Sequence, residues 1–355
     1  MHLRMDSTAE NCMVKTLDAV FSYYKEAQIP EHALVAAGDG LLLAYGENRK
    51  EDGKGARPHL AGFAGEGFLQ RASARLGLDL EVAAAPVDAA EAKSRILEWL
   101  GKGELCALVL DEEEMTASVR EELTRSRAKV DLASNFHIVI PVAFDPATDQ
   151  VELWMAGVPD TVRFPVSLTD LASTWCHTAR LFPEATVVWW GAQPGEIDRA
   201  GLCRRALDTV ADGLLGQGDL TARCFTWLHP QSFGVQALLD MADELPRWPE
   251  RVQPYERCKQ LFLDMLTIKA DAGYVFDQLA HLLDEAALVL EVPVYAELAV
   301  QAREIKQEWE ILSNLFFKAG FSKAAPAELL TRMADRLRKI AGAVAGIAQG
   351  IRTAA

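Results

Sequence analysis

No stretch of this chain carries the roughly 18 consecutive apolar residues that a bilayer-spanning helix requires, although half of its residues are hydrophobic. The N-terminal MHLRMDSTAENC lacks the apolar core of a secretory signal, because Asp6 and Glu10 interrupt it. A cytoplasmic protein without a membrane role is expected. Cysteines are few and form no pattern. Cys12, Cys106, Cys176, Cys203, Cys224 and Cys258 contain no CxxC and no repeated spacing, which argues against a zinc ribbon and against a disulfide framework. In a reducing compartment most of them are expected to be buried thiols. Basic charge is short as well. Lys and Arg number 36 against 51 Asp and Glu, a net of -15, which repels a phosphate backbone and excludes nucleic-acid binding as the main role.

Other signatures are missing too. Gly38-Asp39-Gly40, with Gly62, Gly65 and Gly67, matches neither GxGxxG nor GxxxxGK[ST], so no phosphate cradle is expected. Glu10, His32, His59, His177 and His229 form no local metal motif. Asp111-Glu112-Glu113-Glu114, followed by Glu121-Glu122, has no histidine beside it and reads as a solvated acidic loop or helix start. No internal repeat of fixed period occurs.

What is present is a 355-residue chain, longer than one ordinary core serves, with a quarter of its residues charged. That is the composition of a globular protein of two domains. Its character changes near residue 193. Before that point, short runs rich in β-branched and aromatic residues alternate with helical stretches. Residues 105–110 read as a buried strand, 136–144 as a second, and 151–156 as a third. The turn signal Asp145-Pro146-Ala147-Thr148-Asp149 makes the last two an antiparallel hairpin. Residues 186–190 are a fourth strand. Leu17, Val20, Phe21 and Tyr24 fall at i, i+3, i+4 and i+7, one apolar face of a helix that begins near Cys12. A short helix over 90–100 is expected to end at Gly101, and another opens over 166–171 with Ser167 as a candidate N-cap.

After Gln193-Pro194-Gly195 no strand is expected. Residues 202–215, 234–245, 255–266, 274–290, 294–319 and 326–352 all suit helices, punctuated by Gly216, Gly218, Pro246, Pro249, Gly273, Pro293 and Gly320. The expected class is α+β: a mixed domain over 1–193 followed by an all-α helical domain over 194–355.

Cys12 is the first candidate for chemistry. At a helix N-terminus the unsatisfied N–H groups and the macrodipole stabilise a thiolate, which is a nucleophile when a base is near. Two starts are open. If Asn11 caps, Cys12 is the first helical residue; if Ser7 caps, with Glu10 closing a capping box, Cys12 lies in the second turn and feels the dipole less. The bland alternative is a buried structural thiol. His137 interrupts an otherwise apolar strand and is the natural base, its own bland alternative being a hydrogen-bonded core or edge histidine. A cysteine early and a histidine later, on a strand after the nucleophile helix, is the order of papain-like enzymes, in which a third polar residue on the next strand orients the imidazole. Here Gly157 occupies that place; Asp160 lies three residues later, and Asp145 lies at the other end of the hairpin.

The segment 323–355 carries six basic residues (Lys323, Arg332, Arg336, Arg338, Lys339, Arg352) and two acidic ones (Glu328, Asp335), net +4 against -19 for everything before it. It reads either as a helix face complementing the acidic body or as a docking strip for an acidic partner.

Several of these residues carry a family resemblance. The segment from Asn11-Cys12 to Tyr45-Gly46, with its stretch Gly38-Asp39-Gly40 to Gly46, resembles the nucleophile region of the butirosin biosynthesis protein H-like family. Phe136-His137-Ile138-Val139-Ile140, then Phe144-Asp145, is similar to its histidine strand and following turn. Residues 232–238, Leu245-Pro246-Arg247-Trp248, 273–286 and 305–315 with Trp309 resemble its accompanying helical domain. The resemblance spans most of the chain through loosely spaced motifs. It departs at Gly157, at Asn11 where a histidine is common, at Asn135-Phe136 where glycine is common, and at Phe276 where an arginine is usual.

The resemblance implies a papain-like N-terminal domain and an acyltransferase of specialised metabolism. Such an enzyme takes an acyl or aminoacyl group from a carrier-protein thioester and passes it to an amine or hydroxyl. Cys12 is then the acyl-accepting nucleophile and His137 the base. Asn11 or backbone N–H groups near Cys12 would stabilise the oxyanion, with Asp145 or Asp160 as candidate orienting residues. No metal or redox cofactor is implied; the phosphopantetheine arm arrives on the acyl or peptidyl carrier protein. The same dyad would serve a thioesterase or amide hydrolase, and a chain retaining the fold without catalysis would be a binding or scaffold protein. Monomer and homo-oligomer both remain open.

Overall fold

The computed structural model describes residues 3, 9, 11–48, 57–63, 67–111, 115–126, 136–156, 161–181, 186–218, 220–221, 228–266, 272–324 and 326–354. Its first half contains α1 (Cys12–Lys25), α2 (Glu31–Ala37), β1 (Leu41–Asn48), β2 (Arg57–Phe63), α3 (Phe68–Leu76), β3 (Leu78–Val82), α4 (Ala89–Lys102), β4 (Leu105–Asp111) and α5 (Ala117–Ser126). There follow β5 (Phe136–Asp145), β6 (Gln150–Met155), β7 (Val162–Ser167), α6 (Leu168–Leu181) and β8 (Val187–Ala192). The remainder contains α7 (Arg199–Leu214), β9 (Leu228–Phe233), α8 (Gly234–Glu244), α9 (Trp248–Arg251), α10 (Tyr255–Asp264), α11 (Ala272–Val289), α12 (Val294–Gly320) and α13 (Ala327–Ala354).

The chain divides into two compact units, Met1–Leu34 with Leu69–Ile197, and Val35–Phe68 with Asp198–Ala355. In the first, six strands form an antiparallel sheet in the order β3-β8-β4-β5-β6-β7. Helices α4 and α6 pack on one face of it. The core there joins Cys106, Leu108 and Leu110 of β4, Val139 of β5 and Val188 of β8 to Ile96 and Trp99 of α4 and Leu171 and Trp175 of α6. The β5–β6 hairpin forms as its turn residues require, with Asp145 Oδ1 accepting from Ala147 N–H at 2.9 Å and Oδ2 from Thr148 Oγ1 at 2.8 Å. The helix expected to stop at Gly101 continues to Lys102, and it is Gly103, at φ 73°, that takes the left-handed C-cap position. Ser167 closes β7 and its hydroxyl accepts from Asp170 N–H at 3.4 Å, as a cap for α6.

The second unit differs from expectation. It is not all-α: β1, β2 and β9 form a three-stranded antiparallel sheet in the order β2-β1-β9. The residues that supply β1 and β2 lie within the span expected for the first domain. Strand β9 lies where no strand was expected, because Pro230 interrupts its pattern. As an edge strand it ladders only with β1, beside a register shift at Tyr45/Gly46, and an edge tolerates the proline's missing N–H. The helices occur where their periodicity placed them. Helix α12 packs against α10, α11 and α13, and α13 also against α7 and α8. Stacked Trp248 and Phe262, and Phe276 against Trp309 at 6.4 Å, fill the centre. Phe276 stands where the family resemblance expects arginine, and here it is fully buried.

Among the described residues, no helix is long and apolar enough to cross a membrane.

Candidate active site

Asn11 caps α1. Its backbone is extended (φ -105°, ψ 133°), and its Oδ1 accepts from Met13 N–H at 2.9 Å and Val14 N–H at 3.4 Å, while its carbonyl accepts from Lys15 N–H at 2.8 Å. Of the two possible starts, the structure takes the one that makes Cys12 the first helical residue, at the positive end of the macrodipole. The Cys12 carbonyl accepts from Thr16 Oγ1 at 2.8 Å. Asn11 is 8 % exposed and α1 is buried from Val14 to Phe21.

Exposure separates the cysteines. Cys12 is part-exposed, whereas Cys106, Cys176, Cys203 and Cys258 are buried. Burial pushes the Cys106 thiol far up, Cys203 up to about 11 and Cys258 up to about 12. These are inert structural thiols at neutral pH. Cys224 lies outside the described residues.

Helix α1 crosses the sheet of its own unit. At its C-terminal turn the Tyr24 hydroxyl donates to Trp189 O of β8 at 2.6 Å and accepts from Leu105 N–H at 3.4 Å. Burial foremost raises this phenol to about 12. The helix also packs against β5, the strand that carries His137. It takes the face away from α4 and α6: among the described residues, none of α1 belongs to the core beneath those two helices. Trp189, whose indole donates to Ser73 Oγ of α3 at 2.8 Å, is on that other face too.

The register of His137 then matters. It stands directly across from Leu110, and Val139 stands across from Leu108. Directly paired residues of an antiparallel ladder project from the same face. Leu108, Leu110 and Val139 all belong to the core under α4 and α6, so His137 shares their face and not the one crossed by α1. The structure brings the helix that opens with Cys12 to the strand of His137 and gives the histidine the opposite face.

The orienting candidates separate. Asp145 is exposed in the β5–β6 turn, eight residues along β5 from His137, which is roughly 27 Å at strand rise. It is held there by Ala147 and Thr148, so it does not orient His137. Asp160 and Gly157 lie outside the described residues, as do Asn135 and Glu112 to Glu114. Asp111, expected in a solvated acidic loop, is instead 9 % exposed at the end of β4, its N–H donating to Thr178 Oγ1 of α6 at 3.1 Å.

The basic strip is engaged within its own unit. Arg336 and Lys339 both pair with Glu308 of α12, Arg338 with Asp243 at 2.8 Å, and Arg352 with Asp212. These pairs fit the helix face that complements an acidic body.

Sequence reasoning passed over Lys15. It is fully buried one turn after Cys12, within the run 14–21 that the structure buries. Among the described residues, no group of three or more His, Cys, Asp or Glu side chains is arranged to hold a metal ion. No protein-family model matches the chain, and no curated protein matches its sequence.

Proposed function

We propose that this chain is a papain-like, cysteine-dependent acyltransferase that moves an acyl or aminoacyl group from a carrier-protein thioester to an amine or hydroxyl. The placement of Cys12, the part-exposed cysteine at the first residue of the Asn11-capped helix α1, carries the proposal. The Cys12 thiolate attacks the thioester carbonyl, a new C–S bond forms, and the phosphopantetheine thiolate leaves and takes a proton. The acceptor then attacks the acyl-cysteine, gives its proton to a base, and releases the Cys12 thiolate. The Asn11 amide nitrogen, whose partner oxygen accepts from Met13 and Val14 N–H, would donate to the oxyanion beside the Cys12 N–H. His137 is the proposed base, arriving on the strand against which α1 packs.

The register of His137 favours a second function, a carrier-binding protein that retains the fold without turnover. Intact-mass measurement of the protein mixed with acylated carrier proteins decides between them. Acylation of wild type but not of Cys12→Ser, discharged by an added amine, supports transfer. Discharge at the same rate without an acceptor would indicate hydrolysis instead. Saturable carrier binding without any acyl-protein would identify the binding protein.

A further inference from the structure

We draw no further inference here: the strongest candidate, the exposed apolar patch of Phe317 and Phe321 at the C-terminal end of α12, whose rings lie 4.7 Å apart, carries nothing because nothing in the structure shows what covers it.

Discussion

His137 faces Leu110 across the β4–β5 ladder, and Leu110 is buried under α4 and α6. With that register the proposed base stands on the face opposite the one that α1 crosses. His137→Ala is expected to slow discharge of the acyl-enzyme to an amine by about 100-fold, with Cys12 alkylation at pH 7 changed far less. Single-turnover transfer measured beside alkylation checks this. Loss of both to the same extent would mean that the imidazole activates the thiol directly.

Asn11 closes the first turn of α1 with its side chain. Asn11→Ala should destabilise the protein by about 1 kcal/mol in urea denaturation, and Asn11→Asp by much less, because an aspartate supplies the same acceptor. The alanine variant should also slow Cys12 alkylation as the first turn frays, which ties cap and reactivity together.

Glu308 accepts from both Lys339 and Arg336, and the hydrogen bond from Lys339 first holds its carboxyl below the usual glutamate range. A depressed folded pKa gives stability that is present above the unfolded value of about 4.3 and is lost as pH falls through the lower folded value. Glu308→Gln should thus be less stable than wild type at pH 7, by about 0.5–1 kcal/mol for pairs this near the surface. The two should converge below pH 4, as thermal melts across pH would show. Because Arg336 and Arg338 are already paired with carboxylates of their own unit, charge reversal at the two should lower stability and leave the rate of acyl transfer from a carrier unchanged. A selective fall in that rate would restore the docking role.

Gly46 lies where β1 meets β9, and a Cβ there would stand 2.7 Å from Pro230 Cα and closer still to the His229 carbonyl. Backbone cannot yield as a side-chain tip does. Gly46→Ala is expected to cost about 3 kcal/mol, read by urea denaturation. A variant as stable as wild type would show that β9 is not held against β1 at this point.

Much of the local structure was legible because local rules fix it. The turn residues from Asp145 to Asp149 make the hairpin wherever the flanking runs pair, and the 3.6-residue spacing of Leu17, Val20, Phe21 and Tyr24 needs no partner to be seen. The long helices from Arg199 onward declared themselves in the same way. Strands β1 and β9 did not. The run Leu41-Leu42-Leu43-Ala44 suits helix or strand equally, and the segment holding Pro230 becomes a strand only because β1, nearly two hundred residues earlier, offers it a ladder.

The sequence by itself determined the residue types of the candidate site: one cysteine at a helix start, one histidine in an apolar strand, and Asn11 before the cysteine. Tertiary structure decided what those residues face. Pairing of β4 with β5 sets His137 on Leu110's face, and packing around α1 buries Lys15 with the rest of the run 14–21. Both follow from long-range packing, which assigns faces and removes water, and no spacing along a single segment encodes either.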